Sequence, residues 1–271
     1  MAQLLHVGHM QKNQRAYPSD LTDEEWKLVE PLFREFRMRN CSQPKRRLLD
    51  AVLYLLDTGC KWRSLPHDFP PYTTVSSFYH RAIESGLWDA LLAKIVRLAR
   101  LQQGREPEPT YAVIDSQSVK TVYASEGRGL DGGKKVKGHK RHIVTDTLGH
   151  LLGVYVHPAN IHDTKAGYFP ALEAVTAYPT IVGFCADAGY RKTFEEEVAT
   201  FLGRAVDIVQ RSATKAWEIQ PVRWVVERTF AWLNGFRRLS KDFEMKLESS
   251  VTMIKLAHIV VLLRRLTKKR L

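Results

Sequence analysis

Cysteine is scarce in this chain. Cys41, Cys60 and Cys185 are its three cysteines in 271 residues, an odd number with no C-x-x-C spacing, which argues against a disulfide framework and against a structural zinc site. No apolar run approaches the roughly 18 residues that span a bilayer, and the N-terminal stretch has no continuous apolar core of the signal-peptide kind. The expected location is therefore the cytoplasm, with no membrane partner. Acids are also short relative to bases: 29 Asp+Glu against 41 Lys+Arg leave a formal net charge of +12. Such an excess implies a polyanionic partner, for which nucleic acid is the usual candidate. Hydrophobic content of 44% is ordinary for a globular protein, and the length allows one large or two modest domains.

Against that background one stretch organises the rest. Thr110 to Lys120, TYAVIDSQSVK, is a short β-branched and aromatic run that ends in Asp115, followed by small polar residues beginning with Ser116. It predicts a buried strand that delivers an acid to the end of a sheet. Thr180 to Tyr190, TIVGFCADAGY, repeats the pattern with Asp187. If the two strands lie parallel and adjacent, the carboxylates stand roughly 5 Å apart, where ligands of open α/β sheets bind. Two such acids repel unless a cation sits between them, and an all-oxygen site suits Mg²⁺ or Mn²⁺.

A third acid sits on a predicted helix. In Pro221 to Leu239, Val222, Val226, Phe230, Leu233 and Phe236 form a core-facing stripe, while Arg223, Glu227, Ala231, Asn234 and Arg238 form a second face. Glu227 is read either as a member of the acidic site or as the partner of Arg223 one turn earlier.

The first hundred residues read as helical. Met1 to Ala16 has no periodicity and is expected to be a flexible tail. Thr22 with Glu25 forms a capping box, Leu48 to Thr58 is a buried helix, and Gly59 is its C-cap. A helix from Thr73 to Ser85, capped by Thr73 or Thr74, is the candidate recognition helix of a helix-turn-helix-like domain spanning 17–104. Thr74, Ser77, His80 and Arg81 on its polar side suit phosphate and base-edge contacts, with Lys61 and Arg63 just before it. Gln102 to Thr110 is the linker to a second domain, 105–271. Between Lys120 and Arg141 lie seven Lys+Arg and a run of glycines. Lys120, Lys134, Lys135, Lys137, Lys140 and Arg141 are expected on a mobile loop that touches the DNA backbone. His139 to Asp146 and Leu151 to His157 predict a hairpin. In HPANIHDTKAG, Asp163 is read as the N-cap of a helix from Thr164 to Thr176 rather than as a metal ligand with His157 and His162. The basic end of the last helix, RRLTKKRL, is a further phosphate-binding candidate.

The order of strand acid, strand acid, helix acid resembles the DDE transposases. The wording IDSQSVK, GKKVKGHKRHIVTDTLG, DAGY and RWVVERTFAWLNGFRRL resembles the IS-five family of bacterial insertion-sequence transposases, over about Tyr17 to Leu266. The resemblance implies an α/β, ribonuclease-H-like mixed sheet flanked by helices. It implies that Asp115, Asp187 and Glu227 are catalytic and hold two Mg²⁺ or Mn²⁺ ions when DNA is bound, with Arg223, Ser116 and Tyr190 in support. It also implies double-stranded DNA as partner, both the element's terminal inverted repeats and the target, with nicking at element ends and attack by the freed 3′-hydroxyl. A homodimer on DNA is expected from the two ends joined in one event. Arg228, Arg237 and Arg238 are candidate DNA contacts. A sister signature places Tyr before the Arg and Lys after the Glu, where this chain has Gln220 and Asn234, so those roles fall elsewhere, with Arg237 and Arg238 as candidates. Two other readings use the same residues: a transposase-derived repressor, against which the intact set of three acids argues, and a nuclease that only hydrolyses DNA.

Overall fold

The computed structural model describes residues 17–36, 43–209 and 224–267. The predicted tail at 1–16 and the last bases of the C-terminal segment lie outside them. Four helices come first: α1 (Asp23–Glu35), α2 (Lys45–Thr58), α3 (Tyr72–Glu84) and α4 (Leu87–Gln102). The Thr22–Glu25 capping box is formed in both directions, at 3.1 and 2.7 Å. Gly59 closes α2 with φ +68°, where the left-handed conformation favours glycine. The cap of α3 differs from expectation. Its N-cap is Pro71, with no side-chain hydrogen bond, because the helix starts one residue earlier and Thr73 and Thr74 fall inside it.

The sheet is built from β1 (Tyr111–Lys120), β2 (Gly129–Asp131), β3 (Val136–Asp146), β4 (Leu151–Pro158), β5 (Gly183–Asp187) and β6 (Ala205–Val209). β1 lies between β3, antiparallel, and β5, parallel; β4 and the short β2 occupy the far edge of β3, and β6 runs parallel to β5. Three antiparallel strands followed by two parallel ones make the ribonuclease-H-like mixed sheet expected. Helices α5 (Asp163–Ala166), α6 (Tyr168–Ala177) and α7 (Thr193–Glu197) separate the later strands, and α8 (Trp224–Asn234) and α9 (Leu247–Leu266) follow β6.

Two readings of this region change. The single helix expected after His162 is two pieces meeting at Gly167, where an added Cβ would stand 2.7 Å from the ring of Tyr190. Its cap is His162, whose ring accepts from the Thr164 amide, so Asp163 is the first helical residue and its carboxylate is turned to other use.

The basic stretch is not an open loop. β2 pairs with the start of β3, and the residues after β1 are held by the segment that precedes α9. The Val122 amide donates to the Asp242 carbonyl at 2.9 Å, the Asp242 amide to the Lys120 carbonyl at 2.8 Å, and the Glu126 amide to the Met245 carbonyl at 2.9 Å.

α9 is the axis of the core. From Ser249 to Leu263 nearly every residue is buried, and the helix packs against α4, α8 and β4. The cluster of buried apolar side chains therefore runs without a break from the first helices to the sheet. Lys255 on α9 lies within that core, 2.5 Å from both Asp89 of α4 and Glu173 of α6. A buried ammonium is tolerable because two carboxylates meet it.

Candidate active site and nucleic-acid surface

The parallel register of β1 and β5 matches Tyr111 to Gly183, Ala112 to Phe184 and Val113 to Cys185. The pairs stop there, two residues before Asp115 and Asp187; the same register carried on would set the two acids level, about 5 Å apart. Both acids are half-buried, but only Asp187 ends its strand: β1 does not stop at Asp115 as expected and continues for five residues to Lys120, because its second half stays paired with β3. Each is held locally: Asp115 Oδ1 accepts from the Ser116 amide at 2.7 Å, and Asp187 Oδ1 accepts from the Gly189 amide at 2.8 Å, capping the turn Ala188–Tyr190.

Behind the acids lies a buried polar cluster. Tyr190 is fully buried, its ring edge against Phe194, and its hydroxyl is 2.8 Å from His142 Nδ1 and within reach of Ser116. Burial, then the charges of Asp115, Asp163 and Asp187, push the Tyr190 phenol well above its ordinary value, so it stays protonated. Burial first, then His157 and Lys140, holds His142 well below the usual imidazole range. His157 stacks on it at 4.9 Å and is lowered by burial to about 4. Asp163 Oδ1 lies 2.9 Å from Lys140 Nζ and 3.5 Å from His142 Nε2. Sequence reading missed His142 and misread Asp163. The available signal was period two: Lys140 and His142 point to one face of β3, and Lys140 pairs with His157 on β4.

α8 brings the third acid. Val226, Phe230, Leu233 and, beyond the helix, Phe236 are buried as the stripe predicts; Val222 and Arg223 lie outside the described residues. α8 packs on β1 and β3. Thr229 Oγ1 donates to the Gly149 carbonyl and Arg228 to the Leu148 carbonyl, both at 2.8 Å, so the helix is pinned to the β3–β4 turn. Glu227 is exposed on this helix. Among the described residues no group of three or more His, Cys, Asp or Glu is arranged to hold a metal ion. The structure thus pairs the two aspartate-bearing strands up to two residues before the acids and brings the helix of Glu227 onto β1 and β3, without gathering a three-acid cage among the described residues.

The candidate DNA contacts divide sharply. Lys61, Arg63, Ser77, His80, Lys120, Lys134, Lys135, Lys137 and Arg237 are exposed, and Thr74 and Arg81 half-buried. Three others are buried and engaged inside the protein, and these expectations are corrected. Lys140 donates to the Ile161 carbonyl at 2.8 Å besides pairing with Asp163. Arg141 donates to the Leu239 carbonyl at 2.8 Å. Arg238 pairs with Glu244 at 2.7 Å and donates to the Cys60 carbonyl at 2.8 Å. Lys140 and Arg141 leave opposite faces of β3 at points that other segments cover, the Ile161–Asp163 stretch on one side and the Leu239–Asp242 stretch on the other. Arg228 is partly withdrawn too, its guanidinium lying over Trp224 and Trp232 at 4.3 and 4.6 Å. A cavity of about 520 Å³ opens between α3 and the segment before α9, lined by Lys61, Trp62, Tyr79, Tyr123, Phe243 and Lys246 among others.

Comparison with known proteins bears on this geometry. A family described as "Transposase DDE domain" matches residues 106–262, and one described as "Putative transposase of IS4/5 family" matches residues 21–92. The chain is similar to the "Putative transposase for insertion sequence element IS402" of Burkholderia cepacia, 32% identical over 127 residues, which are 44% of this chain and 60% of that one. It is also similar to the "Insertion element IS402 uncharacterized 16.2 kDa protein" of the same organism, 30% identical over 118 residues, 40% of this chain and 78% of that one. "Uncharacterized protein y4sN" of Sinorhizobium fredii is 34% identical over 90 residues, 33% of this chain and 66% of its own. The matches to the first and last of these three thus span slightly under two thirds of their lengths. With the "Transposase DDE domain" match covering more than half of its length, from the first acidic strand into α9, the chain belongs to the transposases with a DDE domain, of the IS4/IS5 type.

Proposed function

We propose that the chain cleaves DNA at the ends of an insertion element and joins the freed 3′ ends to target DNA, with Asp115, Asp187 and Glu227 as the catalytic acids. The observation that supports this reading is the parallel pairing of β1 with β5 up to Val113 and Cys185, two residues before Asp115 and Asp187 on the two strands. The donor chemistry fits a hard divalent cation: oxygen-only, with two carboxylates on neighbouring strands. Mg²⁺ or Mn²⁺ ions held by these acids would activate the attacking water or sugar hydroxyl and stabilise the leaving 3′ oxygen. The chain's own part is positional. Backbone amides at Ser116 and Gly189 fix the two aspartates, and α8, pinned at Thr229, presents Glu227 from the side.

DNA would lie across the exposed bases Lys120, Lys134, Lys135 and Lys137, with Arg237 beyond α8, while α3 offers Ser77, His80 and Arg81 for reading sequence. Joining two ends makes a dimer on DNA the expected assembly. The test is an assay with labelled element ends, a target plasmid and Mg²⁺. Joined products support the reading; cut ends without joining reduce it to a nuclease, and retarded bands alone to a binding protein.

A further inference from the structure

We propose that Asp163, His142 and Tyr190 form a buried positioning device, in which Asp163 selects the His142 tautomer that accepts a hydrogen bond from the Tyr190 hydroxyl and thereby ties the turn after Asp187 to the strand carrying Asp115. The proposal rests on the reading of Asp115 and Asp187 as cation-binding acids.

Proton placement sets the direction of each bond in this cluster. A neutral imidazole carries one N–H, on Nδ1 or on Nε2, and what faces each nitrogen decides which. His142 is wholly buried, and its Nε2 faces the Asp163 carboxylate at 3.5 Å. A lone pair aimed at a carboxylate is repelled, whereas an N–H is attracted, so the proton belongs on Nε2. Nδ1 is then an acceptor, and its neighbour at 2.8 Å, the Tyr190 hydroxyl, must donate to it. That leaves the Tyr190 oxygen free to accept, with Ser116 beside it as a neighbouring donor. Ser116 follows Asp115 on β1 and pairs with His142 across the β1–β3 ladder. Tyr190 ends the turn that Asp187 caps. One directed chain of donors thus joins the two acid-bearing segments from behind.

Asp163 is itself held for this work. It opens α5 after the His162 cap, pairs with Lys140 at 2.9 Å, and approaches the Asp187–Gly189 turn, its Oδ2 3.7 Å from where a Cβ on Gly189 would stand. The stacked His157 donates through Nδ1 to the Pro158 carbonyl at 2.8 Å and so presents no N–H toward His142 from Nε2. The rings pack as a fixed pair, and Tyr190 fits only because residue 167 is glycine. Partners behind metal-binding side chains commonly change metal affinity or activity by roughly 10- to 100-fold when altered.

The experiment uses the full chain labelled with ¹⁵N-histidine. Two-bond ¹H–¹⁵N correlation should find His142 protonated on Nε2 and bare on Nδ1; the opposite tautomer in the wild type overturns the proposal. Mn²⁺ binding is then measured for the wild type and for Tyr190→Phe and Asp163→Asn, with urea unfolding confirming that each variant is folded. Affinity about tenfold weaker in Tyr190→Phe supports the device, and an affinity equal to wild type overturns it. In Asp163→Asn the His142 proton should shift toward Nδ1 with a parallel loss of Mn²⁺ affinity; an unchanged tautomer counts against Asp163 as the selector. Should Asp163→Asn not fold, the wild-type tautomer and Tyr190→Phe decide. Asp115→Asn and Asp187→Asn serve separately: if they bind Mn²⁺ like the wild type, the cation reading fails while the tautomer result still stands.

Discussion

His258, in the middle of α9, accepts the Leu151 amide through Nε2 at 3.0 Å, so a helix side chain completes the hydrogen bonding at the start of β4. A charged imidazole has no lone pair for this bond, and burial pushes the His258 value down to about 3. The folded state therefore binds fewer protons than the unfolded state, whose histidines titrate near pH 6.5. Stability should hold above about pH 6.5 and fall between there and about pH 3, by roughly 1.4 kcal/mol per pH unit for this one group. Urea unfolding at pH 7.5 and pH 5 checks the slope. In His258→Phe the slope should be shallower, with lower stability throughout because the Leu151 amide loses its acceptor.

Asp115→Asn, Asp187→Asn and Glu227→Gln keep shape and remove charge. Each is expected to fold and bind DNA nearly as the wild type does while losing cleavage in Mg²⁺. Near-normal cleavage by any one of them removes that residue from the site.

The bases of the β2–β3 turn and of β3 should behave as two classes. Replacing Lys134, Lys135 and Lys137 by Ala is expected to flatten the dependence of log affinity on log salt by about 0.9 for each phosphate that is no longer neutralised, with stability unchanged. Arg141→Ala should leave that slope alone and destabilise the fold by about 3–5 kcal/mol, because Leu239, Asp242 and the surrounding core lose a buried cation. Salt titrations and thermal melts on the two variants distinguish the classes, and a flattened slope in Arg141→Ala contradicts the assignment.

A fragment of residues 17–104 lacks α9, against which α4 packs. It is expected to show no cooperative unfolding alone and to gain helicity when a peptide of residues 247–266 is added. A sharp melt of the fragment by itself would mean that the four helices carry their own core.

Much of this fold is readable from residue order. The capping box at Thr22, the C-cap at Gly59, the strand that ends in Asp187 and the hairpin are local patterns, and each takes its expected form, whereas the strand of Asp115 runs on to Lys120. What fails depends on the other side of a contact. Nothing near Lys140 in sequence says that the Ile161 carbonyl and Asp163 will meet it, and nothing near Arg141 announces the Leu239 carbonyl 98 residues away. Charge runs read as solvated by default, and segments packed over the faces of the strand override that default. The same blindness hides His142, whose partners Tyr190 and Asp163 arrive from two later elements. Composition also gives no hint that α9 is enclosed, since Lys255 finds its partners on α4 and α6 and His258 Nε2 finds its own at the start of β4.

Because α9 follows in the chain everything it packs against, a ribosome that has just finished α8 has made the sheet and the first helices but not the rod that they enclose. At about 5–20 residues per second, translation leaves the apolar faces of α4 and β4 exposed for a matter of seconds before α9 emerges. A nascent chain in that state is a substrate for chaperones and proteases, and messages or reading frames that stop short of residue 247 yield products with a permanently open core.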